Sequence, residues 1–381
     1  MLYALLYDWG SVRLFGYISF RMAMAALTAF ALSLWWGKLV IAWLGRSGVR
    51  EDVSKSPAEE LVREAQAAGK GKTPTMGGSF LVAALVAAVL LWARLDNLHV
   101  VLGVLLVLGL SAVGFVDDYK KLTIPGCRGL STRSKLLGLS LVALFVLGSL
   151  CWYAKTTGRS SLLDLYPPFF KDALIPLARW GVPGVVLFLA FEWFVVVGSA
   201  NAVNITDGMD GLAAGCTIIS SAALLIFCYV TGRADWTSYL ILPHVPQASE
   251  MAVMAASLCG AALGFLWYNA YPARVFMGDS GSLPLGGALA WMALGSKQEL
   301  VLPLIASVFV FDLATSFLQT FWYKRTGRRI FTLAPIHHGL QHYGGVFRRR
   351  EQGWHEVQVV VRFWIVAACG ATASLALLKL R

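Results

Sequence analysis

This chain is short of charge. Only 14% of its 381 residues are Asp, Glu, Lys or Arg, against about a quarter in an ordinary soluble domain. That argues against two or three soluble domains in series. Cysteine is sparse as well: Cys127, Cys151, Cys216, Cys228, Cys259 and Cys369 form no close-spaced pattern and mostly fall in apolar runs. Neither a zinc site nor a disulfide framework fits, so they read as small packing residues. The opening stretch Met1–Gly16 carries Asp8 and Arg13 but lacks a basic segment ahead of an apolar core. No cleavable signal peptide is expected, and the first apolar span serves for insertion. Low-complexity tracts, internal repeats and a soluble domain are missing too.

What fills the chain is apolar: 57% of residues are hydrophobic and the mean hydropathy is +0.66. Runs of about 20 residues, enough to cross hydrocarbon, recur along most of the length. The expected fold is all-α: a polytopic integral membrane protein with one transmembrane domain over residues 1–381 and about ten helices. Their approximate positions are 18–45, 76–94, 98–116, 136–153, 182–199, 212–230, 250–268, 282–296, 300–323 and 358–379. The ninth carries Pro303 and Asp312, which predicts a broken or kinked helix.

A net charge of +11 would suit nucleic acid. In a membrane protein, however, Lys and Arg set orientation and meet anionic headgroups, so membrane lipid is the expected partner and nucleic acid is not. Loops after odd-numbered spans hold nineteen Lys and Arg, those after even-numbered spans seven. The odd loops therefore face the cytoplasm and both termini lie outside.

The cytoplasmic loops carry the polar chemistry. In Asn201-Ala202-Val203-Asn204-Ile205-Thr206-Asp207-Gly208-Met209-Asp210-Gly211, amide or carboxylate side chains recur at every third position. Helical spacing gathers them on one surface, and the glycines let a ligand approach the backbone. The first loop ends in Lys70-Gly71-Lys72-Thr73-Pro74-Thr75-Met76-Gly77-Gly78, a helix start suited to an anion. Asp117 and Asp118 are adjacent carboxylates ahead of Lys120 and Lys121; they repel one another and oppose the dipole of the helix they end, which favours a cation or base chemistry. The fourth loop holds Asn269, Arg274, Phe276 and the turn Met277-Gly278-Asp279-Ser280-Gly281. Phe276 suits a stacked base or an interfacial anchor equally well. Neighbouring His337 and His338, in a loop with seven basic residues, suit a phosphate or a metal. Carboxylates facing lysines, histidines and glycines are what magnesium-assisted phosphoryl transfer requires. An ion-coupled transporter would place its acids nearer the bilayer midplane. Glu192 and Asp312 are intramembrane acids, and Asp312 is expected to line the site.

Together these residues resemble the polyprenyl-phosphate N-acetylhexosamine-1-phosphate transferase superfamily. The likeness rests on Tyr17–Arg21, Thr73–Gly78, Asp117-Asp118, Asn201–Gly211, Met277–Gly281 and Ala334-Pro335-Ile336-His337-His338, nearly the whole chain, and is strongest to the muramoyl-pentapeptide branch. The resemblance implies ten spans with external termini, a bacterial inner membrane and a homodimer. It implies that undecaprenyl phosphate attacks the β-phosphate of UDP-N-acetylmuramoyl-pentapeptide, releasing UMP and forming lipid I. By the family pattern Asp279 holds Mg²⁺, and Asp117 deprotonates or positions the lipid phosphate with Asp118 in support. Lys70, Thr75, Lys121, Asn204, Asp207, His337 and His338 line the phosphate and sugar region, and Asp210, Asn269 and Phe276 contact uridine. Gly339 departs from the branch's run of three histidines, with His342 three residues later. A UDP-N-acetylglucosamine-1-phosphate transferase is the alternative that this departure raises.

Overall fold

The computed structural model describes the chain except residues 11, 47–72, 125, 128, 169, 171–173, 351 and 379–381. Its helices are α1 (Ile18–Arg46), α2 (Gly78–Trp92), α3 (Leu98–Thr123), α4 (Thr132–Thr156), α5 (Val182–Thr206), α6 (Leu212–Thr231), α7 (Ala234–Leu240), α8 (Ala248–Asn269), α9 (Asp279–Gly295), α10 (Leu302–Ile305), α11 (Ser307–Thr326), α12 (Ile336–Tyr343) and α13 (Glu356–Ala376). Seven of them, α1, α3, α4, α5, α6, α8 and α13, are long and apolar enough to cross a membrane. The second expected span is the 15-residue α2. The ninth expected span is broken at Ala306 (φ −107°, ψ 36°) into α10 and α11, with Pro303 not at the break but in the first turn of α10. All six cysteines are free.

The eighth span became the centre of the molecule. Every residue of α9 is buried, so this 17-residue helix packs against protein on all sides. Pro284 lies inside it and has no N–H to give the carbonyl of Ser280 four residues back. Ser111 Oγ of α3 supplies that hydrogen bond at 2.9 Å. Glycines set how closely the neighbours approach. A Cβ on Gly78 of α2 would collide with the backbone of Gly281, one on Gly114 of α3 with the backbone of Asp279, and one on Gly286 with the backbone of Ser199 in α5.

Small residues also bring α1 onto α8. Ala25, Ala29, Ser33 and Gly37 recur every four residues and are all buried. They form the one-sided stripe that lets two membrane helices approach closely without an aqueous driving force. Ser33 Oγ donates to the Ala261 carbonyl at 3.0 Å across this contact. The far end of the same helices is closed by a buried ion pair, Arg21 donating twice to Glu250 at 2.7 and 2.6 Å. The glycine contacts set α2, α3 and α5 against α9, and carboxylates from α3 and α9 meet at the N-terminal end of α9.

Candidate active site

The N-terminus of α9 gathers five ionic side chains. Asp117, Asp118 and Asp279 are buried, and one carboxylate oxygen from each lies within 4.8 Å of the others. Lys121 Nζ sits 2.6 Å from Asp117 Oδ2 and 3.1 Å from Asp279 Oδ2. Lys135 Nζ donates to Asp279 Oδ2 at 2.8 Å and to Asn204 Oδ1 at 3.1 Å. Asn204 Nδ2 in turn donates to Asp279 Oδ1 at 2.6 Å and to Ser282 Oγ at 2.9 Å. Helices α3, α4, α5 and α9 each contribute, and the site exists only once they have packed.

The adjacent carboxylates of α3 have separate tasks. Asp118 accepts the backbone N–H groups of Asp279 at 3.1 Å and Ser280 at 2.9 Å. The residue preceding α9 is Gly278 (φ 73°), which has no side chain to cap the helix; Asp118 satisfies those free amides from another helix, where its charge also suits the dipole. Opposing its own helix's dipole is thereby offset by complementing that of α9. Gly278 is needed twice, for its positive φ and because a Cβ there would lie 2.6 Å from Asp118 Oδ2. Asp117 points instead to the α3–α4 loop, where the Leu130 N–H donates to Oδ1 at 2.6 Å. Burial alone would push the Asp279 carboxyl up, but its hydrogen bond with Asp117 and the ammonium groups of Lys135 and Lys121 hold it below the usual carboxylate range.

Three carboxylates against two ammonium groups leave this cluster anionic when all are ionised. Hard oxygen donors so close together suit a hard divalent cation, which would supply the missing positive charge. The donor set therefore fits a hard divalent cation at Asp117, Asp118 and Asp279.

Two further groups flank the cluster. In the first, His337 on α12 is fully buried, with Nδ1 2.8 Å from Asp312 Oδ2. A Cβ at Gly208 would lie 2.8 Å from His337 Nε2 and 3.0 Å from His338 Nε2, so both rings face the turn that includes half-buried Asp207. Asn204 and Gly208 are four residues apart, and thus link the carboxylate cluster to the histidines. In the second group, Asp210 and Asn269 act as braces. Asp210 Oδ2 accepts the Ala273 N–H at 2.9 Å, and its own N–H donates to Glu356 at 2.8 Å. Asn269 accepts from the Gly211 N–H at 3.0 Å and donates to the Val275 carbonyl at 2.9 Å.

Half-buried Phe276 lies on the same loop, and its backbone pairs with the start of α2: its N–H donates to the Pro74 carbonyl at 2.9 Å and its carbonyl accepts from Gly77 at 2.8 Å. Thr75 Oγ1 is 3.3 Å from a Cβ position at Gly278, beside Asp118. Lys70 lies outside the described residues.

Residues 98–297, the span from α3 through α9 that carries Asp117, Asp118, Asn204 and Asp279, match the family described as Glycosyl transferase family 4. Over 376 residues the chain is 42% identical to the phospho-N-acetylmuramoyl-pentapeptide-transferases of two Neisseria gonorrhoeae strains, NCCP11945 and ATCC 700825 / FA 1090. It is equally similar to that of Neisseria meningitidis serogroup C (strain 053442), and each match covers 97% of this chain and 96% of the relative. The chain belongs to the phospho-N-acetylmuramoyl-pentapeptide-transferase family.

Within the phospho-N-acetylmuramoyl-pentapeptide-transferase family pattern, Gly339 stands where a third histidine is usual. A Cβ there would lie 2.9 Å from Thr332 Oγ1 and 3.2 Å from the Leu333 carbonyl, so this position packs inward. One turn after His338, His342 places its ring centroid 6.2 Å from that of His338 and keeps an imidazole on that side of α12. Lys135, Ser282 and Glu356 are site residues that sequence reasoning missed. Lys135 is one of five basic residues in or beside its loop, and nothing in their spacing separates it from the others. Its position in the first turn after the Ser131 cap was the available signal.

Proposed function

We propose that this chain transfers phospho-N-acetylmuramoyl-pentapeptide from UDP to undecaprenyl phosphate, releasing UMP and forming lipid I for peptidoglycan synthesis in a bacterial inner membrane. The observation that carries the reading is the carboxylate–lysine cluster at the N-terminus of the wholly buried α9, in a chain similar along its length to transferases of that name. Asp279 is the residue assigned to hold Mg²⁺, which when bound neutralises phosphate charge in the transition state.

Asp117, oriented by Leu130 and Lys121, positions the lipid phosphate and takes its proton where it carries one. An oxygen of that phosphate bonds to the β-phosphorus, the bond from phosphorus to the bridging oxygen breaks, and UMP leaves with the electron pair. Lys121 and Lys135 are placed to meet phosphate oxygens as charge develops. Asn204, Asp207, Thr75, His337 and His338 bound the phosphate and sugar region together with Lys70, while Asp210, Asn269 and Phe276 shape the uridine end. The site faces the cytoplasm, both termini lie outside, ten spans cross the membrane and the assembly is a homodimer.

The test is a turnover assay. Purified protein with undecaprenyl phosphate and Mg²⁺ is expected to release UMP from UDP-N-acetylmuramoyl-pentapeptide and not from UDP-N-acetylglucosamine. The reverse preference would overturn the substrate assignment.

A further inference from the structure

The broken ninth span brings a buried acid to the site's flank that phosphoryl transfer does not itself require. Asp312 and His337 are both fully buried, on α11 and α12, with Oδ2 and Nδ1 2.8 Å apart. Among the described residues, Asp312 Oδ1 and His337 Nε2 have no hydrogen-bond partner. A buried acid with one bare oxygen, paired to a ring with one bare nitrogen, costs stability, so packing does not account for the pair.

The chemistry of the pair fixes the ring. A carboxylate only accepts, so Nδ1 carries the hydrogen that joins them, and Nε2 is left as the outward edge. That edge faces Gly208, which is exposed, and His338 Nε2 faces the same point. Two imidazole edges thus converge on residue 208, where a side chain would crowd both and the exposed glycine backbone lets a ligand approach. A phosphate oxygen suits that point: an imidazolium N–H gives it a charge-assisted hydrogen bond, and Asp312 balances the buried positive charge.

We propose that Asp312 is a positioning residue that holds His337 with Nδ1 protonated and Nε2 turned to Gly208, so that Nε2–H meets a phosphate oxygen of the sugar nucleotide. This rests on the transferase reading, and two measurements distinguish failure of one from failure of the other. The first needs no substrate. In full-length protein carrying ¹⁵N-histidine, the His337 signals, assigned by their loss in His337→Gln, are expected to show a protonated Nδ1; Asp312→Leu is expected to shift them toward the mixed tautomers of a free imidazole. A wild-type Nδ1 without its hydrogen would overturn the proposal.

The second measurement is a double-mutant cycle with UDP-N-acetylmuramoyl-pentapeptide. Asp312→Asn is expected to lower kcat/KM about 10–100-fold, and by no more than about twofold when His337 is already Gln. Asp312→Glu is expected to recover most of the loss. Full, additive losses in the His337→Gln background would show a merely structural role and overturn the proposal. Wild-type protein that shows the fixed tautomer yet turns over no sugar nucleotide would sink the transferase reading and uphold the positioning of His337.

Discussion

Asp279→Asn is expected to lower lipid I formation by about a thousand-fold or more, and raising Mg²⁺ is not expected to restore it. A thousand-fold loss corresponds to about 4 kcal/mol of transition-state stabilisation, the scale of a metal ligand at a phosphoryl centre. Asp279 is where the chains of contact meet: Asn204, Lys121 and Lys135 all reach its carboxylate. The amide keeps the shape and one acceptor, but it removes the anion and turns an N–H₂ toward ammonium groups. Asp118 contacts the backbone amide of residue 279, so the start of α9 stays capped and the melting temperature is expected to change little. Near-normal turnover of the variant would contradict the assignment of Asp279.

Lys135→Ala is expected to lower kcat/KM about a hundred-fold or more, on the scale of one lost electrostatic donor. Lys135 is the better enclosed of the two lysines, its side chain 17% exposed against 39% for Lys121, and it touches both Asp279 and Asn204. Lys135→Arg is not expected to rescue, since a planar guanidinium cannot take the place of a compact ammonium between two oxygens 2.8 and 3.1 Å away. Activity of Lys135→Ala within about twofold of wild type would place Lys135 outside the reaction and leave Lys121 as the cluster's working cation.

Long apolar runs were legible because burial in lipid or protein demands them over whole spans. That the ninth would be broken was legible from Pro303 and Asp312, but where was not: Pro303 sits in the first turn of α10, and the break falls at Ala306. Where α9 would sit was not legible either. Its composition is that of a short membrane span, and only the packing of Gly78, Gly114 and Gly286 against other backbones makes it central. Asp117, Asp118 and Asp279 stood out because carboxylates at apolar edges are costly. Their division of labour did not, because Asp118 caps a helix 161 residues away in sequence. The resemblance assigns Asp210 and Asn269 to uridine, and in the fold their hydrogen bonds with Ala273, Gly211 and Val275 also stitch loops together. Glu192 has no evident role in the sequence; in the fold it is fully buried beside Glu299 and Lys297, brought there by the turn that follows α9.

The central claim is that phosphorus, with its sugar, moves from nucleotide to lipid at the Asp117–Asp118–Asp279 cluster. The most direct measurement follows the β-phosphate. With UDP-N-acetylmuramoyl-pentapeptide carrying ³²P at the β position, undecaprenyl phosphate and Mg²⁺, attack at the β-phosphorus sends the label into the lipid product and leaves UMP unlabelled. Label that stays in water as UDP would mean attack at the sugar's anomeric carbon, and would contradict the account.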